Sequence, residues 1–329
     1  MLEHGGRLRA AAQAFGIEEA AWVDLSTGIA PWPWPIPHIV ERAWARLPEA
    51  DDGLEAAACD YYGAEHVLPV AGSQAAIQML PRLRRVGKVG VLSPCYAEHA
   101  HAWRHAGHLV RELADEDVDE YLGTLDVLVV VNPNNPTGRM IDRECLLAWH
   151  ARLAERGGWL VVDEAFMDMT PAQSLAAETH RPGLIVLRSF GKFFGLAGVR
   201  LGFVLAEPRV LSALAEHLGP WSVSGPTRSL GVACLGDAAG HRRQIERCGA
   251  ASTRLETLLR QRGLAPSGGC MLFQWVRTQL AGTLYLHLAQ QAVLVRLFAA
   301  TSSLRFGLPA DDAQWQRLEV ALTAFTEAT

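Results

Sequence analysis

Five short, almost uninterrupted apolar runs between residues 86 and 206 constrain this chain more than any other feature. They read VGKVGVLSP near 86–94, LDVLVVVNP near 125–133, WLVVDEAF at 159–166, LIVLRSF at 184–190 and LGFVLA at 201–206. A strand with one wet face alternates apolar and polar residues, whereas a run apolar at nearly every position suits a strand buried on both faces. Helical patterns fill the gaps, at Ser73–Arg85, Ala97–His105, Asp142–Arg156 and Pro208–Leu218. Asp142 is a natural N-cap for the third of these, with Leu146, Leu147, Leu153 and Ala154 supplying its apolar face. That rhythm predicts an α/β domain whose central sheet is mostly parallel and covered by helices.

A chain of 329 residues is long for a single core, and the rhythm changes after Pro226. A long helical pattern runs through Arg242–Arg260, Gly268-Gly269 breaks it, and MLFQWV and AVLVRLF read as further strands. The expectation is three parts: an N-terminal segment at 1–37 packing near the active site, a large domain at 38–219, and a smaller α+β domain at 220–329. The opening segment, with PWPWPIP at 31–37, reads as too broken for regular structure. No internal repeat is visible.

Composition excludes several function classes. Half the residues are hydrophobic and 20% are charged, unlike a disordered chain. The net charge of -5 is spread without a basic block, so neither nucleic acid nor a membrane surface is expected as a partner. The start MLEHGGRLRAAAQAF holds no apolar signal core, and no stretch offers the roughly 18 apolar residues of a membrane span. Six scattered cysteines without a CxxC suit a reducing compartment, so the chain reads as cytoplasmic.

The chemistry-bearing residues sit where the apolar runs end, which is where open α/β sheets place their ligands. In SFGKFFGLAGVR, Lys192 follows a strand among small and apolar residues, where desolvation and nearby cations favour the neutral amine that attacks an aldehyde. Alone it would be an ordinary surface lysine; Ser189 before it and Arg200 after it, both suited to a phosphate dianion, argue otherwise. Asp163 ends another strand, and a buried carboxylate is costly unless paired. In VNPNNPTG, Asn135 supplies an amide donor on a rigid turn. Gly72, Ser73 and Gln74 open a helix whose free N–H groups favour a phosphate, and Tyr96 follows a strand where it could stack on a ring. Read singly, the last four features are an Asp cap, a common turn, a helix cap and a packing tyrosine. His99, His101, His105 and His108 contain an i, i+4 pair able to hold a metal, but no carboxylate completes a motif; a solvated histidine face and no metal site are expected.

In this order, Gly72-Ser73-Gln74, Tyr96, NPNNPTG, DEAF, SFGK and Arg200 resemble the class I/II aminotransferase superfamily, the fold-type I enzymes that use pyridoxal 5'-phosphate (PLP). The resemblance covers nearly the whole chain and implies that fold, that cofactor and a homodimer. It implies Lys192 for the Schiff-base linkage, Asp163 for the pyridine nitrogen, Asn135 for the phenolate oxygen, and Tyr96 for stacking. Gly72, Ser73, Gln74, Ser189 and Arg200 would surround the cofactor phosphate. Arg305, in SSLRFGLP, matches the arginine that grips the substrate carboxylate, and Arg296, in VLVRLF, a position that helps bind a distal phosphate.

Within the superfamily the chain is most similar to the histidinol-phosphate aminotransferases and the threonine-phosphate decarboxylases of cobalamin biosynthesis. Two details favour the decarboxylase side: His4-Gly5-Gly6 followed by DLSTGIAPW, and Phe166 where aminotransferases usually carry tyrosine. Gly191 replaces a hydroxyl residue that often assists the phosphate, and Leu47 a tyrosine that often reaches the cofactor from the partner subunit. The implied reaction is decarboxylation of L-threonine O-3-phosphate, with His4, Ser26 and Arg296 for its phosphate; transamination of an amino phosphate is the alternative.

Overall fold

The computed structural model describes residues 4–328. Contacts divide the chain into two compact units, one of residues 34–135 and 140–241, the other of the chain up to 33, 136–139 and 242 onward.

The first unit is built on seven strands: β1 (Val67–Val70), β2 (Lys88–Leu92), β3 (Leu109–Leu113), β4 (Val127–Val131), β5 (Trp159–Asp163), β6 (Leu184–Ser189) and β7 (Gly202–Leu205). Their spatial order is β1-β7-β6-β5-β4-β2-β3, with β7 antiparallel to both neighbours and the other pairs parallel. The sheet is thus mostly parallel, as the continuous apolar runs require. All five residues of β4 are buried. Helices Ser73–Met79, Glu98–His105 and Pro208–Leu218 pack Ala76, Ile77, Ala102, Trp103, Leu211 and Leu214 into one core with Val89, Val129, Val161 and Ile185. The third expected helix is Arg143–Ala154; Asp142 stands at its N-cap position but its side chain makes no capping hydrogen bond.

The second unit holds a four-stranded antiparallel sheet of β8 (Gly268–Cys270), β9 (Phe273–Arg277), β10 (Arg296–Phe298) and β11 (Ser303–Gly307), in the order β10-β11-β9-β8. Gly268-Gly269 therefore belongs to a strand rather than to a break. Gly138, at φ +72°, comes so near the Gly269 backbone that a Cβ would collide with it. The opening segment is more regular than expected: Leu8–Phe15 is a helix, and Val23–Asp24 pairs in parallel with Val293–Leu294. The alanine-rich LRAAAQAF has high helix propensity, and Leu8, Ala11, Ala12 and Phe15 pack with Trp22 and Ala289. Gly16 ends the helix at φ 66°. No helix among the described residues is long and apolar enough to cross a membrane.

Candidate active site

A cavity of about 130 Å³ in the first unit is lined by Ser73, Gln74, Tyr96, Val131, Asn135, Asp163, Ala165, Phe166, Ser189, Lys192 and Arg200. Asp163 ends β5, Ser189 ends β6, and Lys192 lies on the short helix Phe190–Phe193 that follows. Parallel strands all end at one edge, so residues scattered over more than a hundred positions converge there. Nine of the ten residues expected at the cofactor line this one cavity, and the tenth, Gly72, lies against Arg200.

The lining has two chemically distinct ends. At one, Ser73, Ser189 and Arg200 offer two hydroxyls and a guanidinium. Gly72 there has φ +75°, and a Cβ on it would lie 2.5 Å from an Arg200 nitrogen, so only glycine leaves the guanidinium its place. Arg200 itself is left-handed, at φ 57° and ψ 48°, an unfavourable conformation for a long side chain that the fold imposes where the side chain is aimed at the cavity. A Cβ on Gly191 would come 2.6 Å from the Ala197 Cα, which explains why no hydroxyl residue stands there.

At the other end Asp163 is buried. Its Oδ1 accepts the Ala165 N–H at 3.1 Å, and its Oδ2 accepts a hydrogen bond from His99 Nε2 at 2.8 Å. A carboxylate can only accept, so His99 carries its proton on Nε2. The expected solvated histidine face is therefore corrected. His99 is buried, and His108 is buried between the Pro81 carbonyl and the Gly87 N–H. Only His101 and His105 form an exposed, stacked pair. Among the described residues no group of three or more side chains could hold a metal. The i, i+4 spacing was the conspicuous signal; nothing local marks His99 as the one facing Asp163.

The Gln74 backbone N–H stays at the helix start where a phosphate is expected, while its side chain is engaged elsewhere. Its side-chain nitrogen donates to Glu98 Oε2 at 2.9 Å, and its oxygen accepts the Tyr96 hydroxyl at 3.2 Å. Burial, then the charges of Glu98 and Asp163, push the Tyr96 phenol up to about 12, so it keeps its proton at neutral pH. Phe166 is buried, with its ring centroid 5.9 Å from the Lys192 amine.

Beneath the cavity lies an ionic cluster that the sequence did not reveal. Arg188, just before Ser189, donates to Glu164 at 2.8 Å and lies 3.0 Å from Asp168 and 4.5 Å from the centre of the Tyr62 ring. Glu164, just after Asp163, also accepts from Ser174 at 2.5 Å and from the Leu175 N–H at 2.7 Å. These buried pairs tie the end of β5 to that of β6, which fixes the spacing between Asp163 and the Lys192 turn.

In the second unit the four residues expected to meet substrate are also neighbours. His4, Ser26 and Arg296 line a cavity of about 390 Å³ together with Arg7. Arg296 donates to the His4 carbonyl at 3.3 Å, and Arg305 to the Ser26 carbonyl at 2.8 Å. The Gly6 N–H reaches the Ser26 hydroxyl at 2.8 Å, and a Cβ on Gly5 would strike the Ser26 carbonyl, which accounts for the paired glycines. Arg296 and Arg305 are directly opposed across β10 and β11. Like charges so placed repel, which favours an anionic ligand between or above them. Burial and the Arg296 charge draw the Arg305 guanidinium down to about 10, so it is still a cation at neutral pH.

The donor set in the first unit fits PLP. A cation with two hydroxyls suits its phosphate, a buried carboxylate its pyridine nitrogen, an amide its phenolate oxygen, and a lysine its aldehyde.

Comparison with known proteins points the same way. The aminotransferase class I and II family matches residues 41–322. A threonine-phosphate decarboxylase of Pseudomonas aeruginosa is 64% identical over 327 residues, 99% of each chain. One from a Sinorhizobium species is 44% identical over 331 residues, 97% of each. The histidinol-phosphate aminotransferase of Sinorhizobium meliloti, solved with pyridoxal-5'-phosphate, superposes with a TM-score of 0.83 at 20% identity. That match covers 99% of this chain and 96% of the other, a likeness of fold.

Proposed function

The chain belongs to the aminotransferase class I and II family, with the fold-type I architecture and PLP dependence of that family, and from this premise we propose that it decarboxylates L-threonine O-3-phosphate. The product is (R)-1-amino-2-propanol O-2-phosphate, and the step serves cobalamin biosynthesis. The observation that carries the reading is the 64% identity, over 99% of both chains, to a threonine-phosphate decarboxylase.

When bound, PLP supplies an electron sink for the pair left when a bond at Cα breaks. Lys192 would carry the cofactor and, once displaced by the substrate amine, stand ready to return a proton to Cα. Asp163, held by His99 and the Ala165 N–H, would keep a proton on the ring nitrogen. Asn135 would donate to the ring oxygen; Phe166, in place of a tyrosine, brings no second hydroxyl there. Ser73, the Gln74 backbone N–H, Ser189 and Arg200 would hold the cofactor phosphate. Which bond breaks depends on which stands perpendicular to the ring, and so on how the substrate's two anions are gripped. We assign the carboxylate to Arg305 and the phosphate to Arg296, with His4 and Ser26. The opposed arginines support a substrate that is anionic at both ends.

We further propose a homodimer working in the cytoplasm. Ile36, Val40, Trp44 and Leu47 are large apolar side chains exposed within a dozen residues, an apolar surface suited to a second copy. The six cysteines are all free thiols, as in a reducing compartment.

The test is to incubate PLP-loaded protein with L-threonine O-3-phosphate, with and without 2-oxoglutarate, and follow CO2. Release independent of the keto acid is expected. No CO2, together with keto-acid-dependent glutamate formation from histidinol phosphate, would overturn the reading in favour of a transaminase.

A further inference from the structure

We infer that Glu98 is a positioning residue: its carboxylate fixes the Gln74 side-chain amide, which in turn tethers the Tyr96 ring beside the cofactor. The inference rests on the reading of the 130 Å³ cavity as the PLP site.

Gln74 and Gln78 stand one turn apart on the helix Ser73–Met79, and both side-chain nitrogens donate to Glu98 Oε2, at 2.9 and 3.1 Å. A carboxylate only accepts, so the Gln74 amide must turn its nitrogen toward Glu98 and its oxygen away. That oxygen meets the Tyr96 hydroxyl at 3.2 Å, and having no proton to give, it makes the phenol the donor. Each link thus dictates the direction of the next. The hydroxyl proton is committed to Gln74, so the Tyr96 ring, which lines the cavity, is held at its far end against rotation about its side-chain bonds.

Glu98 and His99 open the same helix. Glu98 holds the element beside the phosphate end, while His99 holds Asp163 at the pyridine end. One helix start therefore sets both ends of the site, through two consecutive residues whose side chains touch different walls.

The test is a double-mutant cycle on the holoenzyme: Glu98→Ala, Tyr96→Phe and the pair, each read by release of PLP on dilution and by circular dichroism of the visible cofactor band. One tether of this kind corresponds to about a two- to tenfold change in equilibrium. Glu98→Ala and Tyr96→Phe should each weaken retention by that factor and alter the visible dichroism, and the pair should weaken it no further than either alone. Gln74→Met, which cuts the relay but leaves the carboxylate, should reproduce the loss. A carboxylate acting only as a charge near the phosphate would give the opposite sign, with tighter retention in Glu98→Ala. That result, a Glu98→Ala effect undiminished by Tyr96→Phe, or wild-type retention in Gln74→Met would each overturn the inference. Wild-type protein that develops no visible band with added PLP would instead sink the reading of the cavity, and this inference with it.

Discussion

Replacing Arg188 by methionine should cost the first unit far more than an average substitution, because it leaves two buried carboxylates without their cation. Arg188, Glu164 and Asp168 are all buried, with Arg188 at 2.8 Å from one carboxylate and 3.0 Å from the other. Breaking a buried pair by removing one partner costs about 3–5 kcal/mol. For a unit of this size, each kcal/mol moves the midpoint by roughly 2–4 °C, so a fall of about 6–20 °C is expected. The loss should depend on pH. Burial already pushes the Glu164 carboxyl above the ordinary carboxylate range, and without Arg188 it rises further. A raised folded value means that the folded state holds more protons than the unfolded one as pH falls, so the variant's deficit is larger at high pH and shrinks as pH is lowered. Adding Glu164→Gln and Asp168→Asn removes both orphaned charges and should recover more than half of the loss. Thermal unfolding of the holoenzyme between pH 5.5 and 8, with the visible band followed in parallel, measures all of this. A shift below about 2 °C, or a deficit that grows as pH is lowered, would refute the argument that the cluster holds the ends of β5 and β6 by buried charge pairing.

Three further outcomes are expected. His99→Phe removes a hydrogen bond to a buried carboxylate and should lower kcat about tenfold to a hundredfold with little change in KM, measured by CO2 release. Arg296→Gln should raise KM for L-threonine O-3-phosphate at least about tenfold, as for a lost charge-assisted contact, while kcat stays within a few-fold. Arg305→Lys places an ammonium, ordinarily near 10.4, in the site whose burial draws the arginine down to about 10. The lysine should fall lower still, so KM of the variant rises between pH 7 and 9 as its cation is lost, whereas the wild type stays flat; parallel profiles would contradict that assignment.

Much of this protein was written locally. Strands buried on both faces must be apolar at nearly every position, so β2, β4, β5, β6 and β7 announced themselves, and with them the mostly parallel sheet. Chemistry at the ends of parallel strands needs its residues within a few positions of each apolar run, which is why Asp163, Asn135, Ser189 and Lys192 could be singled out before their convergence on one cavity was seen. The helix Leu8–Phe15 contradicts the reading of the opening segment as too broken for regular structure: the prolines lie well after it, and LRAAAQAF has high helix propensity.

What tertiary structure alone decided is which polar side chains meet across distance. Four histidines within ten residues look alike in sequence; only the packing of Glu98–His105 against the sheet turns His99 to Asp163 and leaves His101 and His105 outside. Arg188 sits unremarked in the apolar run LIVLRSF, and only the fold puts Glu164 and Asp168 beside it. The sequence marks the Gln74 backbone N–H for a phosphate and is silent on its side chain, whose two amide ends go to Glu98 and Tyr96. The period of a helix or strand is imposed by neighbours in the chain and leaves its mark there, whereas a buried hydrogen bond depends on residues tens of positions apart, and no local pattern encodes its partner.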